Sequence, residues 1–153
     1  MTSHIVHICA GSGSVPNFSM LKHALIHHPV LRHTFIYSNR TWEEVIFRDQ
    51  LARMAADEPN RLRVVHTLTR ESARLAFGSE AQHGRVNAEL IRKSVPDLSE
   101  ARFYVCGPAI SAWDRAAARE NGVDPQPRFM ESVLMSLHSL GVKKNQIATE
   151  SYG

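Results

Sequence analysis

His7-Ile-Cys-Ala-Gly-Ser-Gly-Ser-Val-Pro16 and Tyr104-Val-Cys-Gly-Pro108 are the two stretches that decide the fold. Each reads as an apolar strand that stops abruptly at a corner. The first corner is glycine-rich and the second is Cys-Gly-Pro. In an open parallel sheet such corners lie side by side at the carboxyl edge, where ligands bind. Glycine lets backbone approach a ligand with no Cβ in the way. The helix that follows offers free N–H donors and a positive dipole end. Pro16 fits the first helical turn, where no donor is lost. Taken alone, the loop Gly11, Ser12, Gly13, Ser14, Val15, Pro16 reads equally as a phosphate cradle or as a tight turn without a ligand.

Outward from these corners, strands and helices alternate. His4 to Cys9 is a strand, and the helix opened by Pro16 is stopped by Pro29. His33 to Tyr37 is the second strand. Thr41 with Glu44 has the spacing of a capping box, ahead of a helix with Val45, Phe47, Leu51 and Met54 inward. Leu62 to Leu68 is the third strand, and Thr69 to Gly84 reads as a loop. Ala88 to Ser94 is a short helix, and Phe103 to Cys106 is the fourth strand. Helical stretches follow at 112–120 and 130–140, and Gln146 to Tyr152 closes the chain as the fifth strand. Five strands separated by helices predict an α/β domain spanning 1–153. The expectation is a five-stranded, doubly wound, Rossmann-like parallel sheet of order 3-2-1-4-5, with helices on both faces. That order puts Gly11 and Cys106 on one crevice.

Bulk properties agree with a single domain. The 153 residues suffice for a sizeable core, and 43% hydrophobic content suits a folded globule. The net charge of +3 is spread without a basic run, so no nucleic acid is expected as partner. No apolar run reaches membrane-spanning length, and the amino terminus lacks a signal-peptide core. Cys9 and Cys106 form no C-x-x-C pair. They fit a reducing compartment, and a cytoplasmic protein is expected.

The pairing of G-x-G-x-x-P with a distant C-G-P resembles the NAD(P)-binding domain of the ferredoxin–NADP reductase family. Tyr37-Ser-Asn-Arg-Thr41, Gly84-Arg-Val86 and Ile147-Ala-Thr-Glu-Ser-Tyr152 resemble further blocks of that family, so the likeness runs over nearly the whole chain. It is closest to reductases serving oxygenases and hydroxylases. The resemblance implies hydride transfer from NADPH or NADH to FAD, then electron transfer to an iron–sulfur protein or oxygenase. The family's FAD-holding barrel, with its Arg-x-Tyr-Ser type motif, and a four-cysteine ferredoxin segment have no counterpart here. The expectation is a fragment, an excised domain or one polypeptide of a split enzyme, inactive by itself. The FAD would be held mainly by another domain. The competing expectation is a non-catalytic nucleotide-binding or interaction module.

Charge separates the cofactors. A 2′-phosphate calls for arginine and a free 2′-hydroxyl for a carboxylate. Strand two ends in Ser38, Asn39 and Arg40 with no acid before Glu43. Strand three runs into Thr69-Arg70-Glu71, and Arg85 follows Gly84. The resemblance makes Arg40, Arg70 and Arg85 the 2′-phosphate set and favours NADPH. It also puts Cys106 beside the nicotinamide, with Gly107, Pro108 and the Glu150 carboxylate near it. Cys106 and Glu150 would position and electrostatically support the ring. Tyr152 would either pack on flavin or close the sheet edge. His23 and His27 have a metal-capable spacing but no acidic partner, so no metal is expected. The segment from Ile110 to Phe129 departs from the family, whose last helix follows Cys-Gly-Pro almost directly. It reads either as a segment that shields the nicotinamide or meets a redox partner, or as a peripheral excursion with its own helix.

Overall fold

Runs rich in β-branched and aromatic residues build the sheet, and the computed structural model describes residues 2–71 and 81–152. The strands are β1 (His4–Ala10), β2 (Arg32–Asn39), β3 (Leu62–Leu68), β4 (Ala81–His83), β5 (Ala101–Pro108) and β6 (Ile147–Tyr152). The helices are α1 (Ser14–His27), α2 (Arg48–Asp57), α3 (Ala88–Ser94), α4 (Ala112–Glu120) and α5 (Phe129–Ser139). All strand pairs are parallel.

Among the described residues the sheet has six strands in the order β4-β3-β2-β1-β5-β6. This corrects the expected five strands in order 3-2-1-4-5. The added strand, β4, lies in the stretch expected as a loop, of which residues 72–80 fall outside the described residues. Its three residues carry no alternation that sequence could show. It forms because the edge of β3 offers free backbone groups at His66 to Leu68. The α/β, Rossmann-like class holds, as does the adjacency of β1 and β5.

Alternation along the strands divides the core into two layers. Val6, Ile8, Ile36, Phe103 and Val105 pack with Ile91, Val133 and Leu137 beneath α3 and α5. Cys9, Phe35, Tyr37 and Leu68 pack with Phe18, Leu21 and Leu51 beneath α1 and α2. Buried Asn17 ties α1 to β5, its Nδ2 donating to the Tyr104 carbonyl at 3.0 Å.

The Thr41–Glu44 capping box is not formed. Thr41 instead leads into a 3-10 turn, Trp42–Glu44, without a side-chain cap. The α-helix starts only at Arg48. Phe47 precedes it in the left-handed region (φ 60°), costly for a residue with a Cβ. Its ring stacks on Phe18 at 4.0 Å between centroids, which offsets that cost. No helix among the described residues is long and apolar enough to cross a membrane.

Candidate functional site

The Gly11 loop is fixed from three sides. Gly11 adopts φ +53°, a conformation natural to glycine. Its carbonyl accepts from the Tyr37 hydroxyl at 2.8 Å, and that hydroxyl accepts from the Ile46 N–H at 3.3 Å. The Tyr152 hydroxyl donates to the neighbouring Ala10 carbonyl at 3.0 Å. Gly13 packs directly on the β5 corner: a Cβ there would lie 2.5 Å from the Cys106 carbonyl oxygen. The two corners named in the sequence are therefore in contact. At Ser14 the 14-residue α1 begins, with no side chain capping its first amides. The Ser14 N–H turns back to the Gly11 carbonyl, and the loop before it is bare of side-chain bulk at Gly11, which lets a pyrophosphate approach the backbone closely.

A cleft of about 540 Å³ opens over this edge. Of the expected binding residues, Gly11, Ser12, Asn39, Arg40, Thr69, Arg85, Pro108 and Tyr152 line it. Gly13, Ser14, Val15 and Pro16 do not. Gly13 and Ser14 are buried beneath the loop, and Val15 is half exposed on α1. Gly107 does not line it either. The Phe129 ring lies against Gly107, where any Cβ would overlap its edge. Arg70 is exposed and off the cleft wall, although its backbone N–H extends the β2–β3 pairing to the Arg40 carbonyl at 2.9 Å.

Cys106 and Glu150 also lie outside the cleft lining. They are register partners on β5 and β6, and Cys106 is likewise the partner of Cys9 on β1. Burial, with a smaller contribution from the Glu150 carboxylate, pushes the Cys106 thiol up from its ordinary value. Burial likewise holds Cys9 well above the ordinary thiol range. Neither thiol is an activated nucleophile. Glu150 is exposed, and Tyr152 is 42% exposed at the end of the edge strand.

Among the cleft residues not singled out as site residues from the sequence are Glu44, Arg128 and Phe129. Glu44 holds Arg40 through two hydrogen bonds, and this contact keeps its carboxyl below the usual range. Arg128 and Phe129 arrive at the end of the 110–129 segment. That segment is an excursion whose α4 buries only Ala118, yet its last residues return to the cleft. Arg128 Nη1 lies 3.5 Å from Asp114 Oδ2, which also receives the Ser111 N–H at 2.8 Å. Start and end of the excursion are thereby joined. Arg128 stands next to no glycine or strand signal, so sequence pattern alone does not single it out. Among the described residues no group of three His, Cys, Asp or Glu is disposed to hold a metal ion.

Residues 7–112 match the family described as oxidoreductase NAD-binding domain, and the chain belongs to that family. The match stops at the first residue of α4. A relative from Escherichia coli (strain K12), a component polypeptide of 1,2-phenylacetyl-CoA epoxidase, is 31% identical over 115 residues. The alignment covers 72% of this chain and 31% of the relative. The ferredoxin reductase component of 3-ketosteroid-9-alpha-monooxygenase from Mycobacterium tuberculosis (strain CDC 1551 / Oshkosh) is 34% identical over 101 residues. That alignment covers 66% of this chain and 25% of the relative. The chain thus matches only a minor part of these proteins. A ferredoxin NADP+ reductase from Neisseria gonorrhoeae, solved with bound FAD and NADP, shares the fold at TM-score 0.68 and 22% identity. The superposition covers 98% of this chain and 56% of that one.

Proposed function

We propose that this chain is the nicotinamide-nucleotide module of a flavin-dependent reductase, with NADPH favoured over NADH. In this reading it delivers hydride to FAD held by another domain, and the electrons pass on to an iron–sulfur or oxygenase partner. The observation that carries the reading is the cleft. It combines the bare Gly11 loop with Arg40 and Arg85, which follow β2 and β4, and with Pro108 and Tyr152 at the ends of β5 and β6. The bound nucleotide supplies the hydride. The chain's own residues bind and orient it. The loop amides receive the pyrophosphate, and the arginines draw the anionic adenosine end. Cys106 and Glu150, paired at the β5–β6 corner, are assigned to the nicotinamide end as positioning groups. The buried, neutral thiol presents a small uncharged surface, and the carboxylate favours a ring that becomes positive as hydride leaves.

Relatives named as part of an epoxidase and as a monooxygenase reductase component support the class of acceptor. The chain alone is expected to purify colourless and to reduce no dye with NADPH, because few flavin contacts fall within it. Calorimetric titration with AMP and 2′-phospho-AMP tests the binding role. Tighter binding of 2′-phospho-AMP is expected. Equal affinities would remove the NADPH preference, and no binding of either would remove the reading.

A further inference from the structure

We infer that Glu44 limits the NADPH preference of the cleft by occupying the Arg40 guanidinium where a ribose 2′-phosphate would otherwise bind. The inference rests on the nucleotide-binding reading above and names the group that tunes it. Arg40 Nη2 donates to Glu44 Oε1 at 2.7 Å, and Nε donates to Oε2 at 3.2 Å. This is the two-pronged arrangement that arginine also offers to phosphate, so the two anions compete for the same donors. Both side chains line the cleft.

The turn that brings Glu44 back to Arg40 is itself held. The Trp42 N–H donates to Glu71 Oε2 at 2.9 Å, and the Glu44 N–H donates to the Thr41 carbonyl at 3.2 Å. Arg70 lies near enough to add a second, weaker positive influence on the same carboxylate. A 2′-phosphate therefore meets a resident negative charge and must displace it to reach Arg40. A free 2′-hydroxyl meets no such opposition and can donate to the carboxylate, which keeps spare acceptor capacity. One side chain thus narrows the preference for NADPH that the arginines create. The pair is exposed, 60% for Arg40 and 40% for Glu44, so it adds little to folding and can open for a ligand.

The test is Glu44→Gln, titrated with AMP and 2′-phospho-AMP at fixed ionic strength. Affinity for 2′-phospho-AMP should rise roughly three- to tenfold, the scale of one exposed charge, while AMP changes little or weakens. Glu43→Gln removes the same charge from the neighbouring position, which does not line the cleft, and should leave the ratio of the two affinities unchanged. In an Arg40→Ala background, Glu44→Gln should lose most of its effect on the ratio. An unchanged ratio in Glu44→Gln, or an equal change in Glu43→Gln, overturns the role of Glu44 while the cleft reading stands. If the unmodified protein binds neither nucleotide, both fall together.

Discussion

Gly13 shows what a single position contributes. Its hydrogen faces the Cys106 carbonyl, and a methyl group there would sit 2.5 Å from that oxygen, with the Cys106 carbon at 2.9 Å. Both neighbours are backbone and cannot swing aside. Gly13→Ala should therefore separate the two corners and destabilise the fold by about 1–3 kcal/mol. Nucleotide affinity should fall at the same time. Urea denaturation and titration with 2′-phospho-AMP measure the two effects, and wild-type values for both would contradict the close packing. Gly11→Ala makes a useful contrast. Space exists there, with Tyr152 Oη at 3.6 Å, but the positive φ opposes any side chain, so a cost of about 1 kcal/mol is expected. At this scale the sequence was informative wherever a backbone need selects one residue type. It assigned Glu44 a capping role that does not form and Tyr37 no contact, because both depend on partners that only folding brings near.

The excursion between β5 and α5 is the element with most to test. Its helix α4 is anchored at the start by Ser111 and Asp114, which cap each other. At its end Glu131 accepts the N–H groups of Ile110 and Arg128. The segment is thus closed twice, and Arg128 is delivered to the cleft wall with its head 45% exposed. Arg128→Ala should weaken an anionic nucleotide about threefold to tenfold and leave the denaturation midpoint nearly unchanged. An unaltered affinity for both AMP and 2′-phospho-AMP would show that Arg128 merely latches α4. Sequence located most elements because their periods are distinct and their stops are Pro29 and Pro96. It missed β4, too short to display a period, and placed a capping box at Thr41 because that motif depends on where Glu44 turns. Arg40 drew it the other way.

At the scale of the molecule, buried histidines give the fold a pH profile. His7, His33 and His66 are buried within the sheet layers. Burial lowers His7 to about 3, with His33 and His4 adding repulsion. Burial also lowers His33 and His66 to about 4, with Arg61 contributing at His33. Each therefore stays neutral in the folded chain while the unfolded chain takes up protons below the ordinary value of 6.5. Stability is complete above that value and is lost as pH falls toward 4. By pH 5 the loss should be on the order of 1–2 kcal/mol per histidine. Urea midpoints at pH 7, 6 and 5 should decline steadily, and His66→Gln should flatten part of the slope. A midpoint constant from pH 7 to 5 would mean these rings are protonated in the folded protein.

The adjacency of β1 and β5 reaches beyond the cleft to the order in which the molecule assembles. β1 occupies the middle of the sheet, yet one of its two neighbours is β5, with His4 registered opposite Ala101. Until that distant strand arrives, Val6 and Ile8 stand along an open, apolar edge. Such long-range closure makes folding slow relative to helical proteins of equal size. During synthesis a chain halted before β5 would present a template for pairing with other unfinished copies. The contact that brings the two corners together is thus also the step that ends the molecule's exposure to aggregation.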